Sequence, residues 1–413
     1  MEDVCVVGLG YIGLPTASLL ATRGFKVRGV DVSDHVIQTI NSGSVHIVEP
    51  DLDVLVRAAV QSGNLVANKV PAASDVFIVA VPTPFKANHV PDLSFLESAV
   101  TSIAPFLKKG SLVILESTIP VGTTKTMEIL IRKLRPDLLD GSFFMAHCPE
   151  RVLPGNILTE LVKNDRIIGG INPASSERAR NFYLKFIHGE IVITDAQTAE
   201  LSKLSENAFR DVNIAFANEL SLICDRMGIN VWELIRLANR HPRVKILNPG
   251  VGVGGHCIAV DPWFIVDSAP EQTKLIRAAR EINDHKPHFF VNKITQAITQ
   301  AKNPKVAFLG LSYKPDIDDM RESPAIEVVH SVAQAGATPL LVVEPHSQEL
   351  PKALHGFSHL SKVSFESAIE QADIIVLLVG HRDFLTFRKN NREKFETLLK
   401  TKTVIDATGA WSE

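Results

Sequence analysis

Short apolar runs alternate with helix-length amphipathic segments through the first part of the chain. The runs "VCVVGLG", "FKVRGVDV", "DVFIVAVP" and "GSLVILEST" have the length and the β-branched content of buried strands. Strands that alternate with helices form parallel sheets with crossover helices. Residues 1–195 are therefore predicted to form one doubly wound α/β domain.

The pattern changes at Thr198 to a long helical period that contains no glycine or proline and stops at Gly228, a predicted C-cap. A shorter helix, a glycine-rich segment and another helical run follow. Residues 196–302 are predicted to form a central helical domain that begins with this connecting helix. A helix with little exposed surface is predicted from its apolar positions Leu204, Phe209, Ile214, Phe216 and Leu220.

Residues 303–413 return to the α/β pattern with "KVAFLGLSY", "TPLLVVEP", "DIIVLLVG" and "TVIDATG". The first of these runs is similar to residues 3–10, although two of the three glycines are missing. The predicted fold is thus two Rossmann-like doubly wound domains joined by the central helical domain.

Composition narrows the class of protein. A chain of 413 residues with 45% hydrophobic and 22% charged residues is typical of a globular protein with more than one domain. A net charge of −3 gives no electrostatic reason to expect nucleic acid or an anionic membrane as partner. The start "MEDVCVVGLG" lacks the basic segment of a signal peptide, and no apolar run of ~18 residues is present, so we expect a cytoplasmic protein.

The cysteines lie far apart and form no C-x-x-C pair, which argues against a metal site and against disulfides. Cys5 and Cys224 fall in apolar periodic segments and are predicted to be packing residues. Cys148 and Cys257 fall in irregular segments.

A dinucleotide motif opens the first domain. Gly8, Gly10 and Gly13 form G-x-G-x-x-G between a strand and a helix, and Asp31 ends the next strand. The glycines permit a tight turn and close approach of a pyrophosphate, and the carboxylate accepts hydrogen bonds from ribose hydroxyls. Because a carboxylate repels a 2′-phosphate, the motif favours NAD over NADP.

Two threonines follow later strands of the same domain. Thr83 in "VPTPF" and Thr118 in "ESTIPVG" lie where an open parallel sheet presents its ligand-contacting loops. They are candidates for the cofactor or the reaction, and a helix cap or turn former is the alternative interpretation of each.

Four glycines surround Cys257, at positions 250, 252, 254 and 255. A buried, inert thiol is the commoner role of a cysteine, but glycines let backbone N–H groups converge and let a ligand come close. A thiol in such a place can act as a nucleophile when its thiolate is favoured.

The long helix carries polar groups on one face. Lys203 and Asn207 are one turn apart, and Arg210 and Asp211 extend the face. A solvated helix face is the alternative. Oxidising an alcohol to an aldehyde needs a base and NAD, whereas oxidising an aldehyde to an acid is easiest when a thiol first adds to the carbonyl. The combination predicts a primary alcohol oxidised through an aldehyde to a carboxylate.

The motifs together resemble a known family over essentially the whole chain. "GLGYIGLP", "VPTP", "ESTIPVGTT", "CPERVLPG", "ELSKLSENAFRDVNIAFANEL", "GVGVGGHC" and "LSYKPDIDDMRESPA" stand in the order found in UDP-glucose and GDP-mannose dehydrogenases. "EPDLDVLV", "KNDRIIGG" and "NRHPRVKILNPGVGVGGHCIAVDPWFIV" look most like the branch that oxidises UDP-N-acetyl-D-mannosamine. The resemblance implies four-electron, NAD-dependent oxidation of the C6 alcohol and a homodimer formed through the long central helix.

The resemblance also implies roles for individual residues. Cys257 would be the nucleophile, and Lys203, Asn207 and Asp261 would surround C6 and a water. Glu150 and Thr118 would serve proton transfer and thioester hydrolysis. Cofactor contacts would come from Gly8, Gly10, Tyr11, Ile12, Gly13, Asp31, Thr83, Thr118 and Arg321. Substrate contacts would come from Arg151, Val152, Lys203, Asn207, Arg210, Gly254, Tyr313 and Lys314, with His241 and Arg243 from a neighbouring subunit.

Three positions depart from the UDP-glucose dehydrogenase pattern. Pro154 replaces a glutamate and Val260 a lysine, both near the cofactor in that family, and His256 replaces a serine beside the nucleophile. His256 has two equally weighted interpretations, substrate choice or local packing.

Other functions remain open from sequence. The same chemistry on UDP-N-acetylglucosamine, UDP-N-acetylgalactosamine or UDP-glucose differs only in stereochemistry or one substituent. A β-hydroxyacid dehydrogenase shares the first domain and the lysine–asparagine pair, but needs neither the thiol nor a third domain. A catalytically inactive nucleotide-sugar-binding protein would be expected to lack Cys257 or Lys203, and both are present.

Overall fold

The computed structural model describes residues 2–86, 89–138, 141–153, 155–255 and 257–411. The chain folds as two compact units. The first unit runs to Glu206 and includes Trp263–Pro270, and the second contains Asn207–Pro262 and the chain from Glu271 onward. The division into three domains near residues 195 and 302 stays a prediction.

Strands and helices alternate in both α/β regions, as predicted. The strands are β1 Asp3–Val7, β2 Lys26–Val30, β3 Leu65–Asn68, β4 Val76–Val79, β5 Leu112–Leu115, β6 Phe144–His147, β7 Arg166–Gly170, β8 Ile191–Asp195, β9 Val306–Leu309, β10 Leu340–Val343, β11 Leu360–Lys362, β12 Ile374–Leu377 and β13 Thr403–Asp406. The helices are α1 Gly13–Thr22, α2 Asp34–Asn41, α3 Leu52–Gln61, α4 Ser94–Ile103, α5 Thr123–Leu134, α6 Ile157–Lys163, α7 Pro173–Tyr183, α8 Ala196–Met227, α9 Val231–Ala238, α10 Asp261–Ser268, α11 Lys274–Gln300, α12 Pro324–Ala335, α13 Phe365–Gln371, α14 Arg382–Asn390 and α15 Arg392–Thr401.

The first unit contains an eight-stranded sheet with the order β3-β2-β1-β4-β5-β6-β7-β8. Its neighbouring strands are parallel except for the antiparallel pair β6 and β7. Both faces of β1 are buried, because Val4 and Val6 pack in one apolar cluster while Cys5 and Val7 pack in another. A strand covered on both faces reads as a continuous apolar run, which explains why these strands were visible in the sequence.

The second unit contains a five-stranded parallel sheet with the order β11-β10-β9-β12-β13. This is the order of the first five strands of the other sheet, so the weak similarity between the two sequence regions corresponds to a repeated topology. Val306 and Phe308 face one apolar cluster, and Ala307 and Leu309 face the other. The predicted pair of Rossmann-like doubly wound sheets is confirmed.

The long helix predicted from Thr198 is confirmed as α8, and it ends before Gly228, whose φ of 69° is the left-handed conformation of a C-cap glycine. The prediction that its apolar residues are covered is wrong for two of them. Phe209 is 70% exposed and Phe216 is 52% exposed in the single chain. An apolar period shows which residues avoid water but does not show what covers them.

Within the described ranges, no helix is both long enough and apolar enough to span a membrane. Two positions singled out in the sequence, Pro154 and His256, lie outside the described residues. Val260, the third departure, is buried at the start of the segment that leads into α10.

Candidate active site

The turn after β1 has the shape of a dinucleotide cradle. Gly8 has a φ of 89°, and a Cβ there would lie 2.5 Å from the Ala80 carbonyl oxygen. A Cβ on Gly13 would lie 1.7 Å from the carbonyl oxygen of Gly8, so only glycine allows this turn. Gly10 has no heavy atom within 4 Å of its Cβ direction. Its backbone is therefore open to close approach by a pyrophosphate at the N-terminus of α1.

Asp31 follows β2 beside this turn. Its Oδ2 accepts a hydrogen bond from the Leu9 amide at 3.0 Å, and its Oδ1 accepts one from the Ser33 amide at 2.9 Å. The carboxylate is half-buried, and a carboxylate can accept about four hydrogen bonds, so Asp31 can accept further ones from ribose hydroxyls. Tyr11 is 42% exposed and Ile12 half-buried in the same turn. The residues present fit NAD.

The two predicted threonines contact each other at the carboxyl ends of β4 and β5. The Thr83 Oγ1 donates to the Thr118 carbonyl oxygen at 2.6 Å. Glu200 of α8 fixes the continuation of this loop, because its carboxylate accepts hydrogen bonds from the amides of Gly122 at 2.6 Å and Thr124 at 2.7 Å. The pair is thus held by the fold rather than by a solvent-exposed turn.

Glu150 lies in a buried charged cluster. Its Oε2 accepts a hydrogen bond from the Arg166 guanidinium at 2.9 Å, and Arg166 also lies 3.8 Å from Glu116. The Tyr183 hydroxyl donates to Glu116 at 2.8 Å, and the Arg166 guanidinium lies 4.9 Å from the Tyr183 ring centroid. Burial raises the pKa of Glu116 to about 7, against the opposing effect of Arg166. The Arg166 guanidinium therefore lies beside two carboxyl groups, and one of them, Glu116, retains a proton near neutral pH.

His147 ends β6 immediately before the segment that contains Glu150. Its Nδ1 donates to the Leu115 carbonyl at 2.9 Å, because a carbonyl oxygen can only accept. Burial, together with the charge of Lys203, lowers the pKa of His147 to about 3. His147 is thus neutral, with a lone pair on Nε2, and it lies near the predicted catalytic lysine.

Arg151 and Val152 follow Glu150. Arg151 forms an ion pair with Glu206 of α8 at 2.7 Å, and both side chains are about one-third exposed at 35%. Val152 is half-buried and packs against the apolar cluster of the first sheet. Arg151 is therefore the more accessible of the two for a ligand.

In the second unit, Cys257 lies in the turn that leads into α10. Its carbonyl oxygen accepts hydrogen bonds from the amides of Val260 at 3.0 Å and Asp261 at 2.8 Å. Asp261 begins the helix and accepts a hydrogen bond from the Asn207 side chain at 2.6 Å. Cys257 is partly exposed, whereas the other three cysteines are buried. The turn thus links the thiol, the carboxylate and the amide predicted to act together.

The segment 250–255, which contains the four glycines before Cys257 and is called the glycine collar below, is held by hydrogen bonds from two sides. The Gly250 amide donates to Asn218 of α8 at 2.9 Å, and the Gly255 amide donates to the Arg321 carbonyl at 3.1 Å. A Cβ on Gly254 would lie 2.8 Å from the Tyr313 Cβ, and a Cβ on Gly255 would lie 2.9 Å from the Tyr313 ring. The collar glycines therefore admit Tyr313, which was predicted to contact the substrate.

The remaining predicted residues are exposed. Lys314 follows Tyr313, and Arg321 forms an ion pair with Asp319 at 2.6 Å. Arg210, His241 and Arg243 are exposed, and the Arg243 amide donates to the His241 Nδ1 at 3.3 Å.

Asp211 differs from its sequence interpretation as part of the polar face of α8. It is buried and accepts a hydrogen bond from the buried Arg280 at 2.6 Å. Asp211 is therefore part of the packing between α8 and α11. It was misjudged because its partner lies far along the chain.

The predicted site residues divide between the two units. The first unit holds Gly8, Gly10, Tyr11, Ile12, Gly13, Asp31, Thr83, Thr118, Glu150, Arg151, Val152 and Lys203. The second holds Asn207, Arg210, His241, Arg243, Gly254, Cys257, Asp261, Tyr313, Lys314 and Arg321.

Three family models match the chain in succession. Residues 2–187 match the NAD binding domain of the UDP-glucose/GDP-mannose dehydrogenase family, residues 197–285 its central domain, and residues 307–413 its UDP binding domain. The chain belongs to the UDP-glucose/GDP-mannose dehydrogenase family. It is an NAD-dependent oxidoreductase that acts on a UDP-sugar.

Individual relatives agree with this assignment. An NDP-N-acetyl-D-galactosaminuronic acid dehydrogenase of Ralstonia nicotianae is 56% identical, over 100% of this chain and 96% of its own. A UDP-N-acetyl-D-mannosamine dehydrogenase of Escherichia coli is 52% identical over 99% of both chains. The structure of a UDP-D-ManNAc dehydrogenase from Pyrococcus horikoshii is 40% identical, with a TM-score of 0.87 over 99% of this chain and 96% of that one.

Sequence reasoning missed three buried polar residues of the first unit, Glu116, His147 and Arg166. The available signal was a charged or imidazole group at the end of an otherwise apolar strand. A polar group in such a position is costly to bury without a partner, so it marks a place where the fold supplies one.

Proposed function

We propose that the chain oxidises the C6 alcohol of UDP-N-acetyl-D-mannosamine to the carboxylate of UDP-N-acetyl-D-mannosaminuronate. The observation that carries the proposal is the turn in which the Cys257 carbonyl starts the helix that presents Asp261 to Asn207. A two-electron alcohol dehydrogenase has no use for a partly exposed thiol in such a turn. A four-electron enzyme needs one to hold the aldehyde carbon.

The proposed reaction consists of two two-electron oxidations at C6, followed by hydrolysis of a thioester. NAD bound at the turn after β1 would supply the hydride acceptor for both oxidations. The alcohol loses its hydroxyl proton and a C6 hydride to give the aldehyde, and the Cys257 thiolate then forms a C–S bond. Loss of the second C6 hydride from the thiohemiacetal leaves a thioester, and water breaks the C–S bond to give the carboxylate and the thiol.

The roles proposed for the chain's own side chains follow from their charges and contacts. The Lys203 ammonium stabilises the oxyanionic intermediates. Asp261, held by Asn207, orients the attacking water. Glu150 with Thr118 serves proton transfer in hydrolysis, and Arg166 holds the Glu150 carboxyl group in place through a hydrogen bond of 2.9 Å.

A second sugar is supported by the relatives. The 56% identity to an enzyme named for N-acetyl-D-galactosaminuronic acid is higher than the 52% identity to one named for UDP-N-acetyl-D-mannosamine. UDP-N-acetyl-D-galactosamine is therefore the second candidate. Both sugars have the N-acetyl group and the C6 alcohol, so the same chemistry applies to either.

The test is the amount of NADH formed per sugar when each of four sugars is limiting. UDP-N-acetylmannosamine, UDP-N-acetylgalactosamine, UDP-N-acetylglucosamine and UDP-glucose are compared at equal concentration. Two NADH per UDP-N-acetylmannosamine, with slower turnover of the others, is expected. One NADH per sugar would contradict the thiol chemistry, and faster turnover of the galactosamine sugar would move the assignment to that substrate.

Cys257→Ser separates the two oxidations. The variant is expected to bind UDP and NADH as the parent protein does, and to lose carboxylate formation by about a hundredfold or more. Cys224→Ala, a buried cysteine of α8, is the control and is expected to keep full turnover. Carboxylate release at the parent rate by Cys257→Ser would contradict a covalent mechanism.

We also propose a homodimer formed through α8. Phe209, Phe216 and Ile223 recur at heptad spacing on this helix and are exposed by 70%, 52% and 47%. An exposed apolar stripe of this kind is typical of a helix that packs against another chain. The exposed His241 and Arg243 would then reach the substrate of the neighbouring subunit.

Phe216→Asp is expected to convert the dimer into a monomer in analytical ultracentrifugation and to reduce turnover, because a partner would no longer supply His241 and Arg243. Ile129→Asp on α5 places the same charge at a residue that is 58% exposed and serves as the control. A parent protein that sediments as a monomer would contradict the proposal.

A further inference from the structure

A buried imidazole lies beneath the loop that follows β9. His381, four residues after the end of β12, is completely buried, as is the side chain of Glu344 beside it. Its Nδ1 accepts a hydrogen bond from the Asp316 amide at 3.0 Å. Its Nε2 lies 3.3 Å from Glu344 Oε2 and 3.4 Å from Ser312 Oγ. Since Nδ1 accepts, a neutral ring carries its proton on Nε2 and donates there.

Glu344 binds the other end of the same loop. Its Oε2 accepts hydrogen bonds from the amides of Leu311 at 2.7 Å and Ser312 at 3.2 Å. Burial alone would raise the pKa of Glu344, but the hydrogen bonds from His381 and from the Leu311 and His346 amides lower it below its usual value. The carboxylate is thus held ionised, and the imidazole and the carboxylate together fix both ends of residues 311–316.

Tyr313 and Lys314 lie in the middle of this fixed segment. The Ser312 Oγ donates to the Lys314 carbonyl at 2.8 Å, which closes the segment into a tight turn. Asp316, whose amide donates the hydrogen bond to His381, has a φ of 60°, a strained conformation for a residue other than glycine. Such a conformation persists only where surrounding contacts hold it. The Tyr313 ring in turn packs against Gly255 of the collar.

We propose that His381 is a positioning residue for the UDP-sugar, acting through the 311–316 loop. It touches neither sugar nor nucleotide. It holds the backbone on which Tyr313 and Lys314 are presented, and through Tyr313 it fixes the glycine collar that precedes Cys257. The proposal rests on the proposed substrate role of Tyr313 and Lys314.

A metal site is the alternative use of this region. Asp316, His346 and His381 offer three ligand atoms within 4.8 Å of one another. Both ring nitrogens of His381 are already used, however, one by a backbone amide and one by a carboxylate. The arrangement is that of a hydrogen-bonded support rather than of an open ligand set.

The test compares two variants of His381 with a histidine of the same region. His381→Phe keeps an aromatic ring and removes both hydrogen bonds, whereas His381→Asn keeps an acceptor oxygen for the Asp316 amide. The control is His355→Phe, because His355 is exposed and makes a single hydrogen bond to the Leu350 carbonyl. Calorimetry with UDP and, separately, with NADH measures the two binding sites, and steady-state kinetics gives KM for each substrate.

His381→Phe is expected to weaken UDP binding and raise KM for the sugar by about tenfold, with NADH binding changed less than about twofold. His381→Asn is expected to recover most of the UDP affinity, and His355→Phe to change neither affinity. Hydrogen exchange at the Asp316 amide is expected to become faster in His381→Phe. A purely structural role would instead lower thermal stability without separating the two affinities.

Two outcomes would overturn the proposal: unchanged UDP affinity in folded His381→Phe, or equal losses for UDP and NADH. If His381→Phe does not fold, His381→Leu, which also removes both hydrogen bonds, replaces it, and unchanged UDP affinity and KM in that variant would count against the proposal. Tyr313→Ala and Lys314→Ala separate this failure from that of the proposed function. If they also leave UDP affinity unchanged, the assigned substrate loop is wrong.

Discussion

The two Rossmann-like sheets start with the same turn and then use it differently. Gly8 and Gly310 have φ values of 89° and 90°, and each donates its amide to the carbonyl of a neighbouring strand, Val30 or Val343, at 2.8 Å. The next residue along that neighbouring strand is an acid in both cases. Asp31 is half-buried and accepts hydrogen bonds from two amides, whereas Glu344 is buried and accepts from three amides and from His381.

The use of a repeated fold therefore depends on which groups donate hydrogen bonds to the acid that follows the second strand. In the first sheet a small number of internal donors leaves capacity for a ribose. In the second sheet the glutamate accepts from the equivalent amide, Leu311, and in addition from the Ser312 amide and the His381 imidazole. The second acid therefore supports the 311–316 loop from within the fold.

The largest difference between the two acids is expected in stability. Glu344→Ala leaves buried amides and His381 without an acceptor, and we expect a loss of about 3 to 5 kcal/mol in the free energy of unfolding. Asp31→Ala exposes its amides to water, and we expect a loss below about 1 kcal/mol. Urea denaturation followed by circular dichroism measures both. Equal losses of unfolding free energy in the two variants would contradict the distinction between the half-buried Asp31 and the fully buried Glu344.

The two turn glycines are expected to behave alike. A Cβ at Gly310 would lie 2.5 Å from the Val379 Cβ, as close as the one at Gly8 to Ala80. Gly8→Ala and Gly310→Ala should each cost about 2 to 3 kcal/mol of unfolding free energy, from strain at positive φ and from the clash. Gly63→Ala controls for strain alone, because Gly63 has a φ of 70° and open space around it. A cost at Gly310 no greater than at Gly63 would show that the second turn is not held as the first is.

Buried carboxylates of the two units are expected to respond to pH with opposite signs. The pKa of Glu116 is raised by burial to about 7, so the folded state holds a proton that the unfolded state has lost, and stability falls as pH rises toward 7. The pKa of Glu344 is lowered, so its contribution is present at neutral pH and is lost as pH falls through the folded value. Glu116→Gln mimics the protonated acid and should gain roughly 2 kcal/mol relative to the parent between pH 5 and pH 8.

Denaturation of Glu116→Gln and the parent across that pH range provides the measurement. Glu97→Gln, which replaces an exposed acid of α4, is the control for exchanging a carboxyl group for an amide. A stability difference between Glu116→Gln and the parent that does not change with pH would show that Glu116 is ionised throughout.

The smallest expected effect is on the affinity for NADH, the ligand assigned to Asp31. Asp31→Ala should weaken NADH binding by about tenfold, since hydrogen bonds to the ribose are lost, while UDP affinity changes less than about twofold. Fluorescence titration with NADH and calorimetry with UDP make the comparison. Equal losses for the two ligands would remove the cofactor role assigned to the first turn.

The sequence predicted the features that depend on neighbouring residues. Buried parallel strands are continuous apolar runs, the first turn needs glycines at fixed spacing, and a helix that ends at Gly228 needs a residue tolerant of positive φ. These interactions are local, so a pattern reports them.

The features that were missed depend on distant partners. Glu344 and His381 are separated by 37 positions, and Asp211 and Arg280 by 69. No period in either segment indicates that the other one will lie beside it. The exposure of Phe209 and Phe216 escaped prediction for a related reason, since burial in a core and burial against a second chain select the same apolar residues.

The burial of Glu344 also bears on how many cofactors one chain is expected to hold. Glu344 has the position of a ribose-binding acid, but its side chain is inaccessible to any solute. A duplicated cofactor fold with two open acids would bind NAD twice and lose part of its substrate site to the second molecule. Because His381 and backbone amides already occupy the Glu344 carboxylate, we expect the chain to saturate at one NAD, which leaves the second sheet for the UDP-sugar.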